Sequence, residues 1–229
     1  MARIELKNVS KIIHKQPVIE DVTMLMESRH IYGFQGVNGS GKTMLMRLLC
    51  GLIRPTCGSI EIDGKCLGRD ITFPESLGLF LENAAFLDGY SGFENLKMLA
   101  GLQGQICDEE IRCVLDAVGL SDAAEKKYRK YSLGMKQRLG IGAAIMEKPD
   151  IVVLDEPTNA LDAEGIARVK EILTSEKGRG ALVVISCHDG VILQELADEI
   201  FVLESGRLKA HLHSSDFSDF AQGRRELKQ

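Results

Sequence analysis

One octapeptide, Gly36-Val37-Asn38-Gly39-Ser40-Gly41-Lys42-Thr43, constrains this chain more than any other stretch of its 229 residues. It fits the spacing G-x-x-x-x-G-K-[ST], follows the short apolar run Ile31-Tyr32-Gly33-Phe34, and precedes an apolar segment of helical length, Met44 to Leu52. A strand that turns through glycines into a helix points successive backbone N–H groups into one concavity. The helix N-terminus behind them adds partial positive charge. Phosphate is the ligand that such a concavity suits. The candidate binding residues are therefore Gly36, Asn38, Gly39, Ser40, Gly41, Lys42 and Thr43. Lys42 is placed to bridge β- and γ-phosphates, and the Thr43 hydroxyl to ligate Mg²⁺.

A second element complements the loop. Ile151-Val152-Val153-Leu154 is a continuous apolar run, as expected of a parallel strand buried on both faces, and it ends in Asp155-Glu156. Beside a phosphate loop, Asp155 would hold Mg²⁺ and Glu156 would polarise an attacking water as general base. Alone, an apolar run followed by two carboxylates is only a strand end. Its pairing with the loop makes it a candidate site.

The remaining pattern places these motifs. Alternation of Ile4 and Leu6, and of Val22, Met24 and Met26, predicts half-buried antiparallel strands before residue 35. Ser59–Ile62 reads as another strand, stopped by Asp63-Gly64. Ile111, Val114, Leu115 and Val118 share a helical face behind the acidic start Asp108-Glu109-Glu110, and a second helix is expected from Ser132 towards Glu147. Ala163 to Leu173 reads as a helix, Ala181–Ile185 as a buried strand, and Ile200–Leu203 with Arg207–Leu212 as a closing hairpin. The predicted class is α/β, a single domain over 1–213. Its core comprises 1–83 and 149–213, a helical subdomain is inserted over 84–148, and the polar tail 214–229 is expected to be a loose helix or disordered.

Tyr131-Ser132-Leu133-Gly134-Met135-Lys136-Gln137-Arg138 decides the family. Together with the phosphate loop and the Asp-Glu strand, it makes the chain resemble the ATP-binding cassette (ABC) ATPases, over about residues 2–213. The resemblance implies a P-loop NTPase core with an antiparallel N-terminal β-subdomain and an inserted α-helical subdomain. It implies ATP and Mg²⁺ as cofactors and ATP hydrolysis as the activity. Ser132 and Gly134 would face the nucleotide bound to a second subunit in a homo- or heterodimer. Asn159-Ala160-Leu161-Asp162 looks like the D-loop, with Asp162 acting across the dimer. His188 would be the switch histidine, holding water and Glu156 in line. Cys187 beside it is not expected to make a Cys–His nucleophile pair, because neighbours in a strand point to opposite faces.

Three positions depart from the family pattern. Leu133 replaces a usual Gly, and the variant is similar to cassettes of bacterial drug and bacteriocin export or self-immunity. Glu82 stands where Gln is usual. It remains a candidate Mg²⁺ ligand, with altered Mg²⁺ or pH dependence expected and activity retained. Ile13 stands where an aromatic residue commonly stacks on adenine, so weak discrimination between ATP and GTP is expected.

The class implies a separate polytopic membrane permease as partner. Phe80, Ala85, Phe86, Leu87 and Tyr90 are candidates for that contact or for the core. With Lys plus Arg at 28 against Asp plus Glu at 33, the formal charge is −5 and nucleic acid is not an expected partner. Lys126-Lys127-Tyr128-Arg129-Lys130 is the one basic cluster, read as a solvated face. The six cysteines form no C-x-x-C pair, and the first residues carry charges of both signs. Both features predict a cytoplasmic protein, peripheral at the inner membrane face through the permease. The rival reading is a soluble ABC ATPase of translation or DNA maintenance, which usually carries two cassettes or a long coiled-coil insertion.

Overall fold

The computed structural model of the chain describes residues 2–81 and 85–222. In chain order it forms β1 (Arg3–Ile13), β2 (Gln16–Glu27), β3 (Ile31–Gln35), α1 (Lys42–Leu49), β4 (Cys57–Ile62), β5 (Lys65–Cys66) and β6 (Leu77–Phe80). Three helices follow, α2 (Gly92–Gln103), α3 (Asp108–Ala117) and α4 (Leu133–Ile145). The chain then alternates through β7 (Ile151–Leu154), α5 (Ala163–Gly178), β8 (Leu182–Cys187) and α6 (Gly190–Leu196). It closes with β9 (Glu199–Glu204), β10 (Arg207–His213) and α7 (Ser214–Ala221).

Two sheets result. The smaller is antiparallel in the order β2-β1-β4-β5, and the larger runs β10-β9-β3-β8-β7-β6. In the larger sheet β9, β3, β8, β7 and β6 are parallel, with β10 antiparallel at one edge. Every side chain of β7 and β8 is buried, as their unbroken apolar runs require. Successive residues serve two cores. Val153 and Val184 join α1 and the antiparallel sheet, whereas Val152, Leu154 and Ile185 join the helical side. The helix α1 thus lies between the sheets, and α2, α3 and α4 fall in the chain between β6 and β7.

Local chemistry fixes the helix starts. Ser91 caps α2 with a capping box closed by Glu94, Ser132 caps α4, and Asp162 caps α5. Some limits differ from the sequence reading. The first helix begins at Lys42, directly on the phosphate loop, and ends at Leu49 instead of running to Leu52. The strand expected over Ala181–Ile185 continues to Cys187, because Ser186 and Cys187 stay in register with Phe34 and Gln35. Residues from Ser214, expected to be a loose helix or disordered, form the helix α7 over Ser214–Ala221, which is docked through Phe217 at 6% exposure. A helix with one buried aromatic anchor is held by packing that polar composition does not reveal.

Phe201 on β9 sits at the centre of a cluster of rings. It is 1% exposed, stacked on Tyr32 at 5.8 Å and on His211 at 4.2 Å, and edge-on to Phe34 at 5.9 Å. Phe201→Ala should cost about 3–5 kcal/mol of stability, read as a lowered denaturant midpoint. A loss below about 1 kcal/mol would mean that the cluster collapses around the cavity.

Candidate active site

The phosphate loop lies between β3 and α1, and its geometry follows from its glycines. Gly41 takes φ +107° as the N-cap of α1, a region that side-chain-bearing residues avoid. A Cβ there would also lie 2.9 Å from Ile19 Cδ1 and 3.1 Å from the Val18 carbonyl. Lys42 is 6% exposed, and its Nζ donates to the carbonyls of Gly36 at 2.7 Å and Val37 at 3.3 Å. An ammonium has three donors, so this holds the loop and leaves one directed outward.

Asn38, Gly39, Gly41, Lys42 and Thr43 line a cleft of about 570 Å³ together with Asp155 and Glu156. Gly36 and Ser40 are not among the lining residues. The Ser40 side chain is buried, and its carbonyl accepts the Gly206 N–H at 2.9 Å.

Parallel pairing of β7 with β8 brings the acids to the loop. The Thr43 hydroxyl donates to Asp155 Oδ2 at 2.6 Å. Ser186 Oγ, fully buried on β8, makes a close hydrogen bond to Asp155 Oδ1 and accepts the Glu156 N–H at 2.9 Å. Glu156 takes φ +50°, a conformation that costs a non-glycine residue about 1–3 kcal/mol. Its peptide is tied on both sides, since Gln137 Nε2 donates to its carbonyl at 2.7 Å. Its side chain meets His188, with Nδ1 2.8 Å from Oε2 and the His188 backbone N–H donating to the same oxygen at 3.3 Å. The His188 side chain is 62% exposed. A carboxylate is thus fixed at the cleft wall with a histidine on one of its oxygens.

Several predicted residues stand elsewhere. Ser132 accepts the Met135 N–H at 3.2 Å, and Gly134 abuts the carbonyl of Ala160, so the signature run and the D-loop touch within one chain. Asp162 accepts from Gly165 N at 2.9 Å as the cap of α5. None of the three lines the cleft. Ile13 ends β1 at the hairpin with Gln16, also outside the cleft lining. Pro17, Val18, Ser205 and Gly206 line it instead. Glu82 lies outside the described residues.

Sequence reasoning placed Gln137 in the signature run and Ser205 and Gly206 in a hairpin turn, but assigned neither these nor Ser186 a part in the cleft. A lone polar residue at the end of the apolar strand 181–185 was the available signal for Ser186. Lys126–Lys130 brackets Tyr128, which is buried against Phe86 and Tyr131 while its charged neighbours stay exposed.

Cys187 is buried, with its Sγ 3.6 Å from Thr158 Oγ1, and burial pushes its thiol above the ordinary range. Burial raises the Cys50 thiol to about 12. Alkylation of the native protein at neutral pH should therefore modify the exposed Cys57, Cys107 and Cys113 and spare Cys50 and Cys187. Peptide mass mapping before and after denaturation checks this. Native labelling of Cys187 would revive the Cys–His pair.

On the helical side, Leu79, Phe80, Phe86, Leu87, Met98 and Leu99 line an apolar groove of about 270 Å³. Phe80 is 3% exposed and belongs to the core, whereas Leu87 is 53% exposed. Tyr90, also half exposed, is not part of the groove lining.

A phosphate loop bonded to a strand-end aspartate, with a glutamate–histidine pair beside it and a capped signature helix, defines an ATPase of the cassette class. The chain belongs to the ABC transporter family, whose model matches residues 19–159. It is 47% identical over 206 residues to YybJ of Bacillus subtilis strain 168, an uncharacterized ABC transporter ATP-binding protein, covering 90% of this chain and 94% of that one. It is 35% identical to the bacitracin transport ATP-binding protein BcrA of Enterococcus faecalis, covering 93% of this chain and 70% of that one. The lantibiotic transport ATP-binding protein SrtF of Streptococcus pyogenes is 32% identical, covering 90% and 88%. A solved ATP-binding subunit of an ABC transporter superposes with TM-score 0.84 at 26% identity, over 98% of this chain and 95% of that one. The dimeric post-hydrolysis state of an ATP-binding cassette bound to ADP and Pi shares the fold, with TM-score 0.83 at 20% identity over 92% and 98%.

Proposed function

We propose that this chain is the ATP-hydrolysing subunit of an exporter, acting through a separate polytopic permease and paired with a second nucleotide-binding subunit. The observation that carries the catalytic part is the 2.8 Å Glu156–His188 contact on the wall of the cleft that holds Lys42 and Thr43. Lys42 and the backbone donors of residues 38–43 hold the triphosphate. Glu156 takes a proton from the water attacking the γ-phosphorus, and the bond to the ADP oxygen breaks to give ADP and inorganic phosphate. His188 keeps the carboxylate aimed.

The hydroxyl–carboxylate pair Thr43–Asp155 offers hard oxygens of the kind Mg²⁺ takes alongside substrate phosphates, and Glu82 is proposed as a further ligand. When bound, Mg²⁺ supplies neutralisation of phosphate charge. Ile13 is proposed beside the base. Ser132, Gly134 and Asp162 are proposed to face the nucleotide of the second subunit, whose identity as a like or unlike chain is open to the same test. Their position outside this chain's own cleft supports that reading.

No helix among the described residues is long and apolar enough to cross a membrane. Attachment at the inner membrane face is therefore assigned to the permease, through the groove at Leu87. Relatives named for bacitracin and lantibiotic transport support export of an antibiotic peptide. The test is purification of the tagged chain from membranes of its own cell. A polytopic protein should copurify, and the complex should release phosphate from ATP. Ribosomes or DNA in its place would overturn transport.

A further inference from the structure

The helix α7 does not touch the cleft, yet its one buried side chain bears on the switch. Phe217 packs against Gly190, the first residue of α6, so closely that a Cβ on Gly190 would lie 2.7 Å from Phe217 Cε1. Asp189 caps the same helix by accepting from Val191 N at 2.9 Å and Ile192 N at 3.2 Å, and His188 is the residue before it. Gln35 Nε2 would be 3.4 Å from that same Cβ and lies 3.5 Å from the His188 carbonyl. The helix α7 is itself pinned at its start and in its middle. Ser214 N–H donates to the Asp198 carbonyl at 2.9 Å, and Ser218 Oγ donates to Gln194 of α6 at 2.7 Å.

We infer that Phe217 is a positioning residue for hydrolysis, acting through Gly190 and the Asp189 cap to hold His188 on Glu156. The inference rests on the proposed ATPase role of that pair. Backbone that carries a catalytic contact is held in place in part by what packs behind it, and displacement by about 1 Å can cost two orders of magnitude in rate. Behind Gly190 stands the Phe217 ring. The phosphate loop hydrogen-bonds within itself and to Asp155 and Gly206, with none to α7 among the described residues, so binding and turnover should separate.

The test uses the full chain, with kcat, ATP dissociation constant and amide hydrogen exchange measured on each variant. Phe217→Ala should lower kcat by about tenfold or more while ATP affinity stays within about twofold. Exchange should quicken over 188–196 and stay unchanged over 36–49. Phe217→Leu, which refills most of the space, should restore kcat. Gly190→Ala should reproduce the loss by displacing the ring, even though alanine favours helix over glycine, and adding Phe217→Leu to it should relieve the defect.

Unchanged kcat in Phe217→Ala, or kcat and affinity falling together, would overturn the inference. Were the parent chain to hydrolyse no ATP, the proposed function would fail on its own. Exchange over 188–196 would still decide, and rates equal in parent and variant would refute the coupling.

Discussion

Glu156→Gln should stop turnover, lowering kcat by about 10³-fold, while ATP binds as well as before. The substitution keeps the shape of the side chain and every backbone tie that holds it. Ser186 still accepts the N–H, Gln137 still donates to the carbonyl, and an amide oxygen can still accept from His188. What the amide cannot do is take a proton from water. Because ATP is bound and never consumed, the dimer proposed to close around it should accumulate, and size-exclusion chromatography with Mg-ATP should show a doubled mass. Phosphate release within about tenfold of the parent would remove Glu156 from the role of base.

Lys42→Ala should act one step earlier and weaken ATP binding by about a hundredfold, the scale of a lost charge-assisted hydrogen bond in a largely buried setting. Two losses combine. The nucleotide loses the ammonium that lines its proposed cleft, and the loop loses the donor that ties the carbonyls of Gly36 and Val37 together. Arginine is not a remedy, because its planar fork has no room where a compact ammonium sits at 6% exposure. Titration with a fluorescent ATP analogue measures the effect. Affinity within threefold of the parent would mean that backbone amides alone hold the phosphates. The two variants thus separate capture of the nucleotide from its cleavage, which one loss-of-activity mutant could not do.

The Glu156 environment also explains why the signature run matters within a single chain. Gln137 sits on α4, five residues beyond its Ser132 cap, and reaches the carbonyl of Glu156, the proposed general base. Any displacement of α4 is therefore felt at Glu156. With Gly134 against Ala160 and Asp162 capping α5, the helix α4, the segment 159–162 and Glu156 form one connected unit. That connection gives a physical route between what happens at the helical side and what happens at the cleft.

Sequence alone determined the motifs that local geometry encodes. The phosphate loop needs its glycines and lysine at fixed spacing, the acids need a buried strand before them, and the caps at Ser132 and Asp162 act on amides three residues away. Only the tertiary structure decided which distant residues complete them. Ser186 reaches Asp155 because β8 lies between β3 and β7, Phe217 reaches Gly190 because α7 folds back on α6, and Gly206 supports Ser40 from the far hairpin. The strand β6 was likewise invisible, a four-residue element with a glycine in it that exists by pairing with β7. The division has a single cause. Covalent neighbours fix turns and helix ends through short-range sterics and hydrogen bonds. A partner distant in the sequence is chosen by sheet order and core packing, which no local window of the chain contains.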